Sequence, residues 1–155
     1  MKKVIASETN VYSKRFAAKL DARMERILED AENLVKSYFP AKQVSASLTK
    51  LQAALVAEGI NCVFDKTVTK EAIASTADSD ISEKECNEAV RYIANAVVDE
   101  TEDTLEACDK AIKALAKKHY PKNRISTAKK MRKSVAEIMN KQGLHFDFDG
   151  SEKKN

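Results

Sequence analysis

Apolar residues recur along this chain at steps of three and four, and the few prolines and glycines punctuate them. From Glu8 to Phe39, the positions Ala17, Leu20, Met24, Ile27, Ala31, Leu34 and Tyr38 follow an alternating three- and four-residue rhythm, the seam of an amphipathic helix. Phe16, Leu28 and Val35 widen that seam into a stripe, which suits a bundle member facing several neighbours better than a two-stranded coiled coil. Pro40 ends the element, because the residue before a proline is pushed out of the helical region. A second helix carries Val44, Leu48, Leu51 and Leu55. Its expected start is a serine between Ser45 and Ser47, and its stop is Gly59, with Leu55 and Ile60 placed for a Schellman closure.

The stretch from Ile60 to Val68 is short and rich in β-branched residues, so it predicts an extended connector that packs Val63 or Phe64 against the helices. A small helix from about Lys70 to Ser75 should follow. Ser82 and Glu85 have the spacing of a capping box and start a helix at Glu83. Its apolar positions are Cys86, Val90, Ile93, Val97, Leu105, Cys108, Ile112 and Leu115, with Thr101 in the same line. No Gly or Pro interrupts it, so one long helix to about His119 is expected. After Pro121 a last helix begins before Thr127, turns Ala128, Met131, Val135, Ile138 and Gln142 inward, and closes at Gly143 and Leu144.

These elements make the expected fold class all-α: a bundle of four main helices with one short extra helix and an extended connector near 60–68. A single helical domain over 1–144 and a C-terminal tail over 145–155 are the expected organisation. Composition agrees, with 43% apolar and 33% charged residues, three Gly, two Pro and no Trp in 155 residues. No apolar run is long enough for a membrane span, and the first residues do not read as a secretory signal. Cys62, Cys86 and Cys108 are an odd set without metal or redox spacing. They are expected to stay reduced, which fits a cytoplasmic location.

Charge changes the picture more than composition does. The formal net charge is only +3, yet Lys110 to Ser134 holds ten Lys or Arg and no acid, directly after a stretch, Asp65 to Asp109, with thirteen acids against four bases. Lys117, Lys118, Lys122, Arg124, Lys129, Lys130, Arg132 and Lys133, with His119, surround the Pro121 turn and open the last helix. At 100° per residue Lys129 and Lys133 point away from the inner face, and Lys130 and Arg132 flank it. A cation-rich surface without acidic neighbours suits a nucleic acid backbone or an acidic protein. The third possibility is internal neutralisation by the acidic helix. A basic stripe on the first helix, Arg15, Lys19, Arg23 and Arg26, would extend a cationic face if it points the same way.

The rival to a nucleic-acid binder is a protein-binding adaptor or inhibitor. It would act through Asp99, Glu102, Asp103 and Glu106, through the tail aromatics Phe146 and Phe148, or through a spare apolar seam that could also form a homo-oligomer. Tyr12, Phe16, Tyr38, Phe39, Tyr92 and Tyr120 mostly occupy or border core positions, which argues for duplex backbone contact over base stacking. Thr69 to Ser75 followed by Ile81 to Val90 resembles the opening helix-turn-helix of the HU/IHF architectural proteins. The β-arms by which that family binds DNA have no counterpart, so the resemblance implies no function here. Neither histidine has metal-ligand spacing, no glycine-rich phosphate loop exists, and the acids around Gly150 do not match a calcium loop. The chain therefore reads as a non-enzymatic protein without a metal or other cofactor.

Overall fold

The structure is a computed structural model that describes residues 2–71, 80–146 and 148, with side chains from residue 10 onward. The fold is all-α, a bundle of four main helices: α1 (Lys2–Tyr38), α2 (Ala41–Ala57), α3 (Glu83–His119) and α4 (Arg124–Lys141). No strand occurs among the described residues. The long helix expected from Glu83 to His119 is continuous over 37 residues. The expected short helix begins at Lys70 and Glu71, and the rest of it lies outside the described residues.

The chain divides into two compact units, and α1 and α3 run through both. The first unit takes in Met1–Met24 and Thr101–Asn155, and the second Glu25–Glu100. In the second, Ile27 and Val35 of α1 and Phe39 just past its end are buried, together with Val44, Leu48, Leu51 and Leu55 of α2 and Val90, Ile93 and Val97 of α3. In the first, Ala17, Leu20 and Met24 are buried with Leu105, Ile112 and Ala116 of α3 and Met131, Val135 and Met139 of α4. Burial of each large aliphatic side chain is worth roughly 1.5–3 kcal/mol.

The buried stripes depart from the three-four rhythm in the same direction on every long helix. The last buried steps run from Ala31 and Val35 on α1 to Phe39 one residue past its end, leaving Leu34 and Tyr38 exposed. On α3 Ala116 is buried and Leu115 only half-buried, and on α4 Met139 is buried where Ile138 and Gln142 were expected. A straight helix drifts about 20° per heptad from a 3.5-residue repeat, so burial gains extra four-residue steps.

Both glycine closures form as the spacing predicts. The Ile60 and Leu144 amides donate to the carbonyls of Leu55 and Met139, each at 2.9 Å. Gly59 and Gly143 sit at φ 85° and 97°, where a Cβ would be strained. Helix α2 starts earlier than expected, at Ala41, because Pro40 (φ −55°, ψ 143°) already turns the chain into the helix and its carbonyl accepts the Gln43 amide at 2.8 Å. Ser47 is buried inside the helix instead of capping it. At Ser82 the cap forms, its Oγ accepting the Glu85 amide at 3.2 Å.

The connector is extended over 61–69. It buries Phe64 and leaves Val63 in solvent. The Asp65 amide fastens it to Glu32 at 2.6 Å; just ahead of α3, the Gln43 side chain both donates to and accepts from the Ile81 backbone, at 2.8 and 2.9 Å. Lys42 pairs with Asp80 at 2.9 Å. Hydrogen bonds from Thr67, with Lys36 nearby, hold the Asp65 carboxyl below the usual carboxylate range.

Candidate polyanion interface

The basic residues are presented by the end of α3, a four-residue turn and the start of α4, all within the first unit. The turn is tight: the Tyr120 amide bonds the Ala116 carbonyl at 2.8 Å, and the Asn123 amide bonds that of Tyr120 at 3.0 Å. Helix α4 then begins at Arg124 with no side-chain cap and no acid in its first turn. The positive end of its dipole is therefore not offset by a carboxylate there. His119 stacks on Tyr12, ring centroids 6.0 Å apart and planes 21° from parallel, which orients the end of α3.

Of the eight predicted residues, Lys117, Lys118, Lys122, Arg124, Lys129, Lys130 and Lys133 are exposed. Among the described residues none of these seven forms an ion pair with a carboxylate. Arg132 differs. It is nearly buried, and its Nε donates to Oδ1 of Asp109, which is itself nearly buried and also pairs with Lys113 at 3.1 Å. Internal neutralisation is thus local: it engages Arg132, Lys113 and Lys110, the last through Glu106 at 3.4 Å.

The sequence reading missed Asp109 as a structural residue. Its signal was available, since Leu105, Asp109, Ile112 and Ala116 fall on one helical stripe and a carboxylate on a buried stripe calls for a cation. It also missed a groove of about 420 Å³. Ala114, Ile125 and Ala128 give this groove apolar walls, and Lys113, Lys117, Arg124 and Arg132 give it a cationic rim. Ile125 is 78% exposed in the middle of the basic residues.

The alternative protein-binding acids Asp99, Glu102, Asp103 and Glu106 are all exposed and follow the i, i+3, i+4, i+7 spacing of a single face of α3. Glu102, Asp103 and Glu106 are exposed on α3 in the first unit, whereas Asp99 belongs to the second. Phe146 and Phe148 are half-buried and meet edge to face, centroids 4.8 Å apart. Two aromatics expected at the core, Tyr38 and Tyr92, are exposed, because the buried stripes run through their neighbours Phe39 and Ile93. The three cysteines are free thiols. Burial pushes Cys62 and Cys108 up to about 11, with Asp109 adding to the effect on Cys108, so neither is an activated nucleophile. Among the described residues no three His, Cys, Asp or Glu come together as a metal site, and no helix is long and apolar enough to cross a membrane. No family model matches the chain, and no curated protein or solved structure is significantly similar to it.

Proposed function

We propose that this is a non-enzymatic binding protein of the cytoplasm that engages a polyanion, in the first place the backbone of a nucleic acid duplex, through the turn between α3 and α4. The observation that carries this reading is the set of seven exposed cations left outside the Asp109 network. Asp109, the nearly buried acid that could have neutralised more of the cluster, is occupied by Arg132 and Lys113. Each lysine that meets a phosphate would release a condensed counterion, so affinity should be sequence-tolerant and steeply salt-dependent. Lys129 and Lys133 supply the outward face of α4, and Lys117, Lys118 and Lys122 the turn; Arg132 acts from within, fixing α4 to α3.

The test is titration of generic duplex DNA and RNA at several salt concentrations. If most of the seven cations engage, the slope of log affinity against log salt is roughly −4 to −6. Lys129→Glu with Lys133→Glu should abolish the low-salt complex while leaving the helical content unchanged, since both side chains are exposed. A wild-type protein that binds neither duplex at low salt ends this reading. A second reading, capture of an acidic protein segment by the same cations, is favoured by the apolar walls around Ile125. Under that reading Ile125→Ser costs as much as the lysine reversals, and the salt dependence is shallow.

A further inference from the structure

The second unit carries an apolar surface that the polyanion reading does not use. Leu34 and Tyr38 of α1 are 45% and 47% exposed, and Tyr92 of α3 is 74% exposed. All three line one groove of about 270 Å³ with Ala89 and Ile93. Leu34 and Ile93 also line a shallower depression that continues along the same two helices and ends at Asp30 and Glu100. From Ile27 to Tyr38 the two together follow α1 for twelve residues, about 16 Å or three helical turns.

We propose that this groove is a docking site for a basic amphipathic helix of a partner protein. Its length matches the i, i+4, i+7 anchors with which such a helix enters an apolar groove. Ala31, Ala89 and Ala96 leave room for aliphatic side chains from the partner, and Tyr38 and Tyr92 offer large, rigid contact area with a polar tip. Charge selects the occupant. The carboxylates lie at one end of the groove, and the second unit as a whole holds fourteen acids against eight bases. A second copy of the same face would bring like charge against like, whereas Lys or Arg on a partner helix would be attracted to Asp30 and Glu100. The exposed stripe is the part of α1's apolar pattern that the fold does not bury, and a contiguous exposed apolar patch of this kind marks an interaction surface.

The experiment is selection from a displayed library of helical peptides of about fourteen residues, with affinities of the enriched peptides then read by fluorescence polarisation. Enriched sequences should carry three apolar positions at helical spacing and Lys or Arg toward one end. Ala96→Trp, which fills the groove, should weaken them roughly tenfold or more. Asp30→Lys with Glu100→Lys should do the same and turn the preference toward acidic peptides. Lys129→Glu with Lys133→Glu should leave peptide binding unchanged, which separates this site from the polyanion interface. Absence of enrichment, acidic winners on the wild-type protein, or winners indifferent to Ala96→Trp would overturn the proposal. So would a dimer in sedimentation velocity that Leu34→Asp dissolves, because the groove would then belong to a second copy.

Discussion

The two units of this protein solve the same packing problem with opposite materials. The first carries nineteen Lys or Arg against ten Asp or Glu, and the second fourteen acids against eight bases. Their interiors differ as well. Ser13, Thr101, Asp109 and Thr127 are buried in the first unit, where Thr101 bonds the Met24 sulfur at 3.5 Å and Asp109 holds Arg132. The second is filled by Ile27, Leu48, Leu51 and Leu55, with Ser47 its one buried polar residue among those described. An ion pair set into the margin of an apolar core sacrifices some stability to desolvation and gains a fixed pairing of two helices. Both interiors are mainly apolar, and the cationic unit adds to its packing a charged lock between α3 and α4.

The largest expected effect tests the aliphatic side. Leu51→Ala removes a fully buried side chain from α2 and should cost about 3–4 kcal/mol in urea denaturation. Next comes the ion pair: Asp109→Ala leaves Arg132 without its carboxylate and should cost about 3 kcal/mol. Asp109→Leu combined with Arg132→Met should recover most of that loss. A cost below about 1 kcal/mol for Asp109→Ala would erase the contrast between the interiors. Smaller and opposite in sign is Ser13→Ala. The buried Ser13 hydroxyl has no hydrogen-bond partner among the described residues, so its removal should raise stability by about 1 kcal/mol.

The last effect, absent at neutral pH, treats both units alike. Cys62 lies in the second and Cys108 in the first, and burial raises both thiols from 9.0 to about 11. The folded chain holds these protons more tightly than the unfolded chain, so the contribution to stability is complete below pH 9 and is lost as pH rises toward 11. A denaturation series across that window should show a shallow decline that Cys62→Ala with Cys108→Ala removes. Alkylation of both thiols at pH 8 should be slow; rapid labelling of one alone would mean that its unit opens more readily.

The helices and their breaks were legible in local pattern. Pro40, Gly59, Pro121 and Gly143 each act within a turn or two, so their effect needs no knowledge of the rest of the molecule. The Ser82 cap and the uninterrupted run to His119 were legible for the same reason. Less legible was the phase of each buried stripe. A seam extrapolated at three-four steps reaches Leu34, Tyr38 and Leu115, whereas the protein buries Val35, Phe39 and Ala116. The error grows with length, which is why it appears at the far ends of α1 and α3 and not at their middles.

Of the candidate interface, the cations themselves were plain in the sequence, and so was the outward position of Lys129 and Lys133 on α4. Which cation is kept for internal use was not, because that depends on Asp109 of α3 coming opposite Arg132 of α4. The same holds for the groove beside Tyr92, which exists only where α1 and α3 leave a strip of apolar surface uncovered. By itself the sequence determined the helical elements, their boundaries at proline and glycine, and the separation of charge, since these follow from backbone preferences and composition. Tertiary structure decided which apolar residues are hidden and which charges are paired, because burial and pairing are set by the neighbour that arrives, and that neighbour lies far along the chain.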